Sequence, residues 1–332
     1  MKTDTTAYSR RSVLAIATLV MLTSTQMAAA ADRIVMQVIP KLIGIPYFTS
    51  TGEGAKEAAA ELGIEMNYNG PTDASIEGQI AIINQAIRRK VNVIAIAGTD
   101  AAALAPSLKR AREAGVTVVS WDSDVGKAAR SFYVEATSDA GMGQGLIDSL
   151  VKDGLTDGDV AILTGSATAA NLISYVNAMK AYTAAHYPKL NIATVLAGDE
   201  DAVKSKAVTT SYFQGNPETK ALIVIGSAMT PGLEALKGLG LQGKVKVAGF
   251  GLPSVNGRQT KDGSLSRFLL WNPVDLGYAA VYAGVAAHRG EIRQGSAELA
   301  AGRLGTLKVS GDIVTLGPPV EFDASNVDKF NF

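Results

Sequence analysis

Asp122 and Asp124 stand two residues apart, directly after an apolar run that ends in Trp121. A carboxylate at the end of a buried strand can accept two hydroxyl hydrogen bonds at once, which is the chemistry of holding a sugar or polyol. A buried charge needs a partner, and Lys41 is a candidate. Tyr47, Phe48 and either Trp121 or Trp271 can stack on the apolar face of a ring. Asn171, Ser227 and Asn272 also follow apolar runs and offer neutral polar groups. Each has a plainer use as well. The aspartates can cap a helix or solvate a loop, and any one aromatic can be core. A calcium loop would need further carboxylates at fixed spacing, and these are missing.

Other chemistries are excluded or left without residues. The 332 residues include no Cys and two His, His186 and His288. Disulfides, thiolate metal sites and cysteine nucleophiles are therefore absent, and a Ser-His-Asp triad has little to draw on. Gly141-Met142-Gly143-Gln144-Gly145 has the wrong spacing for a dinucleotide fingerprint, so helix packing is its expected use. Asp199-Glu200-Asp201 reads as a solvated loop. No nucleophile–base pair stands out, so the chain is not expected to be an enzyme or to carry a cofactor. With 31 basic and 31 acidic residues it lacks the basic balance of a nucleic-acid binder.

The N-terminus reads as a targeting segment. Lys2, Arg10 and Arg11 precede an apolar run of ten residues, 13–22, and Ala28 to Ala31 supply a small-residue end. That run is too short to span a bilayer, and the pattern is that of a secretory signal peptide, 1–31, cleaved near Ala30 or Ala31. Ser9-Arg10-Arg11-Ser12-Val13-Leu14 also fits a twin-arginine signal, which leaves the export route open. The mature chain is expected to be soluble, exported and monomeric.

Beyond the signal segment, strand and helix alternate. Branched apolar runs at 34–39, 64–68, 91–97 and 116–121 read as strands, with helices at 54–62, 76–87 and 101–114 between them. Ser75 is placed to cap the second of these helices. The rhythm restarts with strands at 131–136, 160–164, 192–196, 221–225, 245–249 and 265–271. Helices are expected at 141–151, 171–185, 204–212, 232–239 and 275–288, and 307–332 reads as irregular. The fold class is α/β, with two doubly wound lobes. Ligands in such sheets sit beyond the carboxyl ends of the strands, where Lys41, Asp122, Asn171, Ser227 and Asn272 fall.

Ile39-Pro40-Lys41, Tyr47-Phe48-Thr49, Gly70-Pro71-Thr72 and Trp121-Asp122-Ser123-Asp124 resemble the periplasmic ABC-transporter solute-binding proteins of the autoinducer-2 and rhamnose type. The resemblance continues through Gly249-Phe250-Gly251 and Leu270-Trp271-Asn272-Pro273 to Ala301-Gly302-Arg303 and Asp323-Ala324-Ser325. It implies a type I periplasmic binding protein whose lobes are joined by three crossings, near Thr137-Ser138, near Trp271-Asn272 and after His288. The lobes would then comprise 32–137 with 273–290, and 138–272 with 291–332. It further implies a small neutral monosaccharide as ligand and an inner-membrane ABC permease as partner. The alternative is autoinducer-2, or presentation of a sugar to a signalling receptor. Autoinducer-binding members are similar at Lys41 and Asp122, but their Asp-Gln pair corresponds here to Asn171-Leu172, and their Pro-x-Ala stretch to Ile225-Gly226-Ser227. Ribose binders carry an Asp where this chain has Gly251. These differences point to a deoxyhexose or related aldose or polyol.

Overall fold

The computed structural model describes residues 34–332, so the expected signal peptide lies outside the described residues. The first run of elements is β1 (Val35–Ile39), α1 (Pro46–Glu61), β2 (Glu65–Tyr68), α2 (Ile76–Arg88), β3 (Val93–Ile96), α3 (Ala101–Glu113), β4 (Thr117–Trp121) and β5 (Phe132–Glu135). Next come α4 (Asp139–Lys152), β6 (Gly158–Thr164), α5 (Ala170–His186), β7 (Leu190–Ala197), α6 (Ala202–Gly215), β8 (Ala221–Ile225), α7 (Met229–Gly238), β9 (Lys246–Gly249) and α8 (Pro253–Lys261). The chain closes with β10 (Arg267–Leu270), α9 (Pro273–Arg289), β11 (Glu298–Ala300), β12 (Thr306–Ser310), β13 (Ile313–Thr315) and β14 (Val320–Asp323).

These strands form an eight-stranded sheet, β11-β12-β13-β5-β4-β3-β1-β2, and a four-stranded sheet, β7-β6-β8-β9. A separate pair, β10-β14, extends the second sheet through a bridge between Phe250 and Leu269. The central strands pair in parallel. Every residue of β3 and β8 is buried. Strands that read as unbroken apolar runs are what a parallel sheet covered on both faces requires. Helix α2 starts where the sequence places it, with the Gly78 N–H donating to Ser75 Oγ at 3.0 Å. The 141–145 glycines lie inside α4, and a side chain at Gly143 would strike Ala178 of α5. Helices α1 and α9 touch through glycine on both sides: a Cβ at Gly54 would lie 1.8 Å from the Val274 carbonyl, and one at Gly277 1.9 Å from that of Thr51.

The structure departs from the sequence reading in three places. Helix α1 begins at Pro46, not at 54, because proline is pre-organised for a first turn that lacks an N–H partner anyway. Helix α8, again opened by proline, went unread. The C-terminal part is not irregular: β12 and β13 form a hairpin, and β13 pairs in parallel with β5, Ile313 opposite Tyr133. Residues 298–315 therefore belong to the first sheet, whereas the expected division gave all of 291–332 to the second lobe. Only from Val320 does the chain pair with β10 of the second side. Buried Leu307, Val309 and Val314 drive this, since they complete the apolar face beyond β5.

Candidate functional site

The loops at the carboxyl ends of strands from both sheets converge on one cavity of about 180 Å³. Its polar anchor is built on the first sheet. β4 ends at Trp121, and the next residue, Asp122, takes a left-handed backbone with φ of 60°. Such a conformation costs an Asp on the order of 1 kcal/mol and is tolerated best by short polar side chains. It is held by the Asp122 N–H donating to the Val134 carbonyl at 3.2 Å and by the Tyr133 hydroxyl donating to the Asp122 carbonyl at 2.8 Å. The Asp122 carboxylate pairs with Lys41 Nζ at 2.9 Å and accepts from the Tyr47 hydroxyl at 2.7 Å. Lys41 also donates to Asn171 Oδ1 at 3.2 Å. Both members of the ion pair are buried, at 4% and 3% exposure.

Tyr47 links this anchor to the opposite side, because Trp271 Nε1 donates to its hydroxyl at 3.0 Å. Burial, and then the neighbouring Asp122 charge, raise the Tyr47 phenol well above its ordinary range, so it stays protonated and donates. The apolar lining is aromatic. Trp271 packs edge-on against Tyr47 and Phe250, with ring centroids 6.2 and 5.4 Å apart. Phe48 stands between Tyr47 and Trp121. The remaining wall comes from the second sheet: Leu172 beside Asn171, Ser227 after β8, and Asn256 and Thr230 joined at 3.3 Å. A charged acceptor, amides and aromatic faces in one small cavity suit a compact ligand with hydroxyls on its rim and apolar C–H faces.

Seven of the residues singled out in the sequence line this cavity: Lys41, Tyr47, Phe48, Asp122, Asn171, Ser227 and Trp271. Two do not. The Asp124 carboxylate accepts from Arg130 Nε at 2.7 Å, Arg130 Nη2 at 2.8 Å, Ser120 Oγ at 2.6 Å and its neighbour's Val125 N–H at 2.8 Å. In an extended strand Asp122 and Asp124 would share a side, but the left-handed turn at Asp122 breaks that alternation. Asn272 caps α9 instead, accepting from the Val274 N–H at 3.0 Å. Of the two tryptophans, Trp121 is fully buried core and Trp271 faces the cavity. The sequence reading missed Asn256, because α8 was unread; Pro253 opening a helix after β9 was the signal for it. It also missed Glu200, which lines the cavity although its acidic neighbours read as a solvated loop.

Residues 34–292 match the periplasmic binding protein domain, and the chain belongs to that family. Among curated relatives, the D-ribose/D-allose-binding protein of Pseudomonas aeruginosa is 28% identical over 222 residues, 64% of this chain and 69% of its own length. The ribose import binding protein RbsB of Escherichia coli is 23% identical over 278 residues, covering 82% and 90%. An ABC transporter solute-binding protein from Clostridium phytofermentas, solved with bound L-rhamnose, superposes with a TM-score of 0.85 at 30% identity, covering 91% of this chain and 99% of its own. LsrB from Clostridium saccharobutylicum, in complex with AI-2, gives a TM-score of 0.84 at 25% identity, covering 90% and 100%. The fold is thus that of the type I periplasmic binding proteins, as the sequence led us to expect.

Proposed function

We propose that this protein is the solute-binding component of a sugar ABC transporter, and that its ligand is a small neutral monosaccharide of the rhamnose-like deoxyhexose class. The carrying observation is the Asp122 carboxylate, held by Lys41 and Tyr47 inside an aromatic-lined cavity. A carboxylate has about four acceptor positions, so two protein partners leave capacity for ligand hydroxyls. At about 180 Å³ the cavity matches one sugar ring rather than a chain of them. Leu172 beside Asn171 offers an apolar contact for a methyl group next to a single amide. The chain is a carrier, not an enzyme: it captures its ligand in the periplasm as a monomer and hands it to a membrane permease. The likeness to solute-binding proteins supports this.

The second reading is autoinducer-2, favoured by the LsrB likeness and by Lys41 beside Asp122. Competitive calorimetry on one preparation decides between them, with L-rhamnose, L-fucose, D-ribose and autoinducer-2 as ligands. We expect a 6-deoxy sugar to bind tightest and to raise the melting temperature most, by mass action on the folded state. Tightest binding of autoinducer-2 hands the assignment to the second reading.

A further inference from the structure

The acidic run Asp199-Glu200-Asp201 divides its labour. Asp199 pairs with Lys204. Asp201 caps α6, accepting from the Lys204 N–H at 2.6 Å. Glu200 alone turns toward the cavity and lines it. Its backbone is left-handed, with φ of 54°, and its N–H donates to the Gly165 carbonyl at 2.6 Å. One carboxylate oxygen, Oε2, accepts from the Ser227 N–H at 3.0 Å. Beneath it the chain is cleared by glycine: a Cβ at Gly165 would lie 2.2 Å from Oε1, and one at Gly226 3.0 Å from the same atom. Among the described residues no lysine, arginine or histidine forms an ion pair with Glu200. The backbone strain, the glycine floor and the backbone tether together fix a carboxylate whose charge is not neutralised by the protein.

We propose that Glu200 is a specificity-determining residue of the cleft: its carboxylate accepts a ligand hydroxyl on the second-sheet wall and bars anionic sugars. The inference rests on the sugar-binding reading of the same cavity. The two cavity carboxylates are unlike. Asp122 is neutralised by Lys41, whereas Glu200 adds a net negative charge to the wall it lines. A ligand hydroxyl donating to it forms a charge-assisted bond, while a ligand carboxylate meets like charge in a partly desolvated cavity. The ligand class this selects is a neutral polyhydroxylated ring with a donor at the end away from Asp122.

The test uses the full mature chain and titrates L-rhamnose, L-fucose, D-ribose and D-galacturonate into wild type, Glu200→Gln and Gly165→Ala. Gln keeps the shape and an acceptor for the Ser227 N–H. The Gly165→Ala methyl acts independently, since the three atoms nearest to it are all in the Glu200 carboxylate. We expect Glu200→Gln to weaken the tightest neutral sugar by about ten- to a hundredfold, the range of one charge-assisted hydrogen bond. Its preference for that sugar over D-galacturonate should narrow at least as far, and Gly165→Ala should weaken the same sugar. Unfolding midpoints without ligand identify any variant that has lost its fold. Wild-type affinity in both folded variants overturns the role of Glu200 and leaves the sugar-binding reading standing. Tightest binding of D-galacturonate to the wild type overturns this inference. Binding of no neutral sugar to the wild type overturns the functional reading and this inference with it.

Discussion

Two ion-pair clusters flank the end of β4, built from the same chemistry and put to opposite uses. On one side Lys41 holds Asp122, whose carboxylate has two protein partners and faces the cavity. On the other, Arg130 clamps Asp124 and also bonds Asp312 at the turn before β13. Asp124 accepts from four donors, three of them on Oδ1, against the two that Asp122 has. The second cluster is a structural tie that fastens the late hairpin to the first sheet. Burial does not explain the division, because the Asp124 side chain is the more exposed, at 24% against 4%; what separates them is how many protein donors each carboxylate already has. By that criterion Asp122 and Glu200, which line the cavity, are the carboxylates proposed to meet the ligand, and Asp124 ties the framework.

The largest expected effect breaks the first cluster. Asp122→Ala should lower sugar affinity by a hundredfold or more, since it removes charge-assisted bonds worth about 1.5–3 kcal/mol each. It also strands Lys41 in a buried site with Asn171 Oδ1 as its remaining partner. Breaking one side of a buried pair costs about 3–5 kcal/mol of stability, so calorimetry should be read beside a urea unfolding curve. An unchanged affinity would remove Asp122 from the ligand site.

Asp124→Asn should do the reverse. Burial pushes the Asp124 carboxyl up, but the bonds and charge of Arg130 outweigh it and hold the group below the usual carboxylate range. Asp312 is lowered by the same arginine against the same opposing burial. A carboxyl with a lower pKa folded than unfolded contributes stability that is present above its unfolded value near about 4 and is lost as pH falls through the folded one. The substitution should cost about 1–3 kcal/mol at pH 7. It should also flatten the dependence of the urea midpoint on pH below about 4, and leave sugar affinity within twofold. A tenfold loss of affinity would place Asp124 in the site after all.

The sequence carried the anchor and the alternation but not the ends of the elements. Branched apolar runs gave β1, β3, β4 and β8 because a parallel sheet buried on both faces leaves no polar alternation to confuse them. Asp122 and Ser227 were legible as candidates because they follow the ends of β4 and β8 closely; Asn171 lies further on, in the first turn of α5, seven residues past β6. Asp124 was misplaced because one left-handed residue redirects the chain, and nothing in a local pattern announces that turn. The pairing of β13 with β5 joins residues some 180 positions apart, Ile313 with Tyr133, and no periodicity encodes such a partner. Glu200 was lost for a similar reason. Its neighbours are solvated, and only the glycines at 165 and 226, distant in sequence, mark the space it fills.

The smallest effect concerns neither cluster but the contact between the two sides. Thr168, after β6, donates from Oγ1 to the Thr99 carbonyl after β3 at 3.1 Å. Neither residue lines the cavity, so Thr168→Ala leaves the ligand contacts as they are. It removes one of the bonds that join the first sheet's loops to the second's, beside Lys41–Asn171 and Trp271–Tyr47. If ligand binds by closing the two sides together, the lost bond lowers the closed population and the apparent affinity by the same factor. One neutral hydrogen bond contributes about 0.5–1.5 kcal/mol net, which corresponds to roughly a two- to tenfold loss. The loss should fall on the dissociation rate, because the bond exists only once the sides have met. Stopped-flow release of L-rhamnose, followed by Trp271 fluorescence, measures it directly. Faster release with unchanged association makes Thr168 a latch of the closed form, whereas unchanged release would mean that the sides are held together by the anchor and the aromatic wall alone.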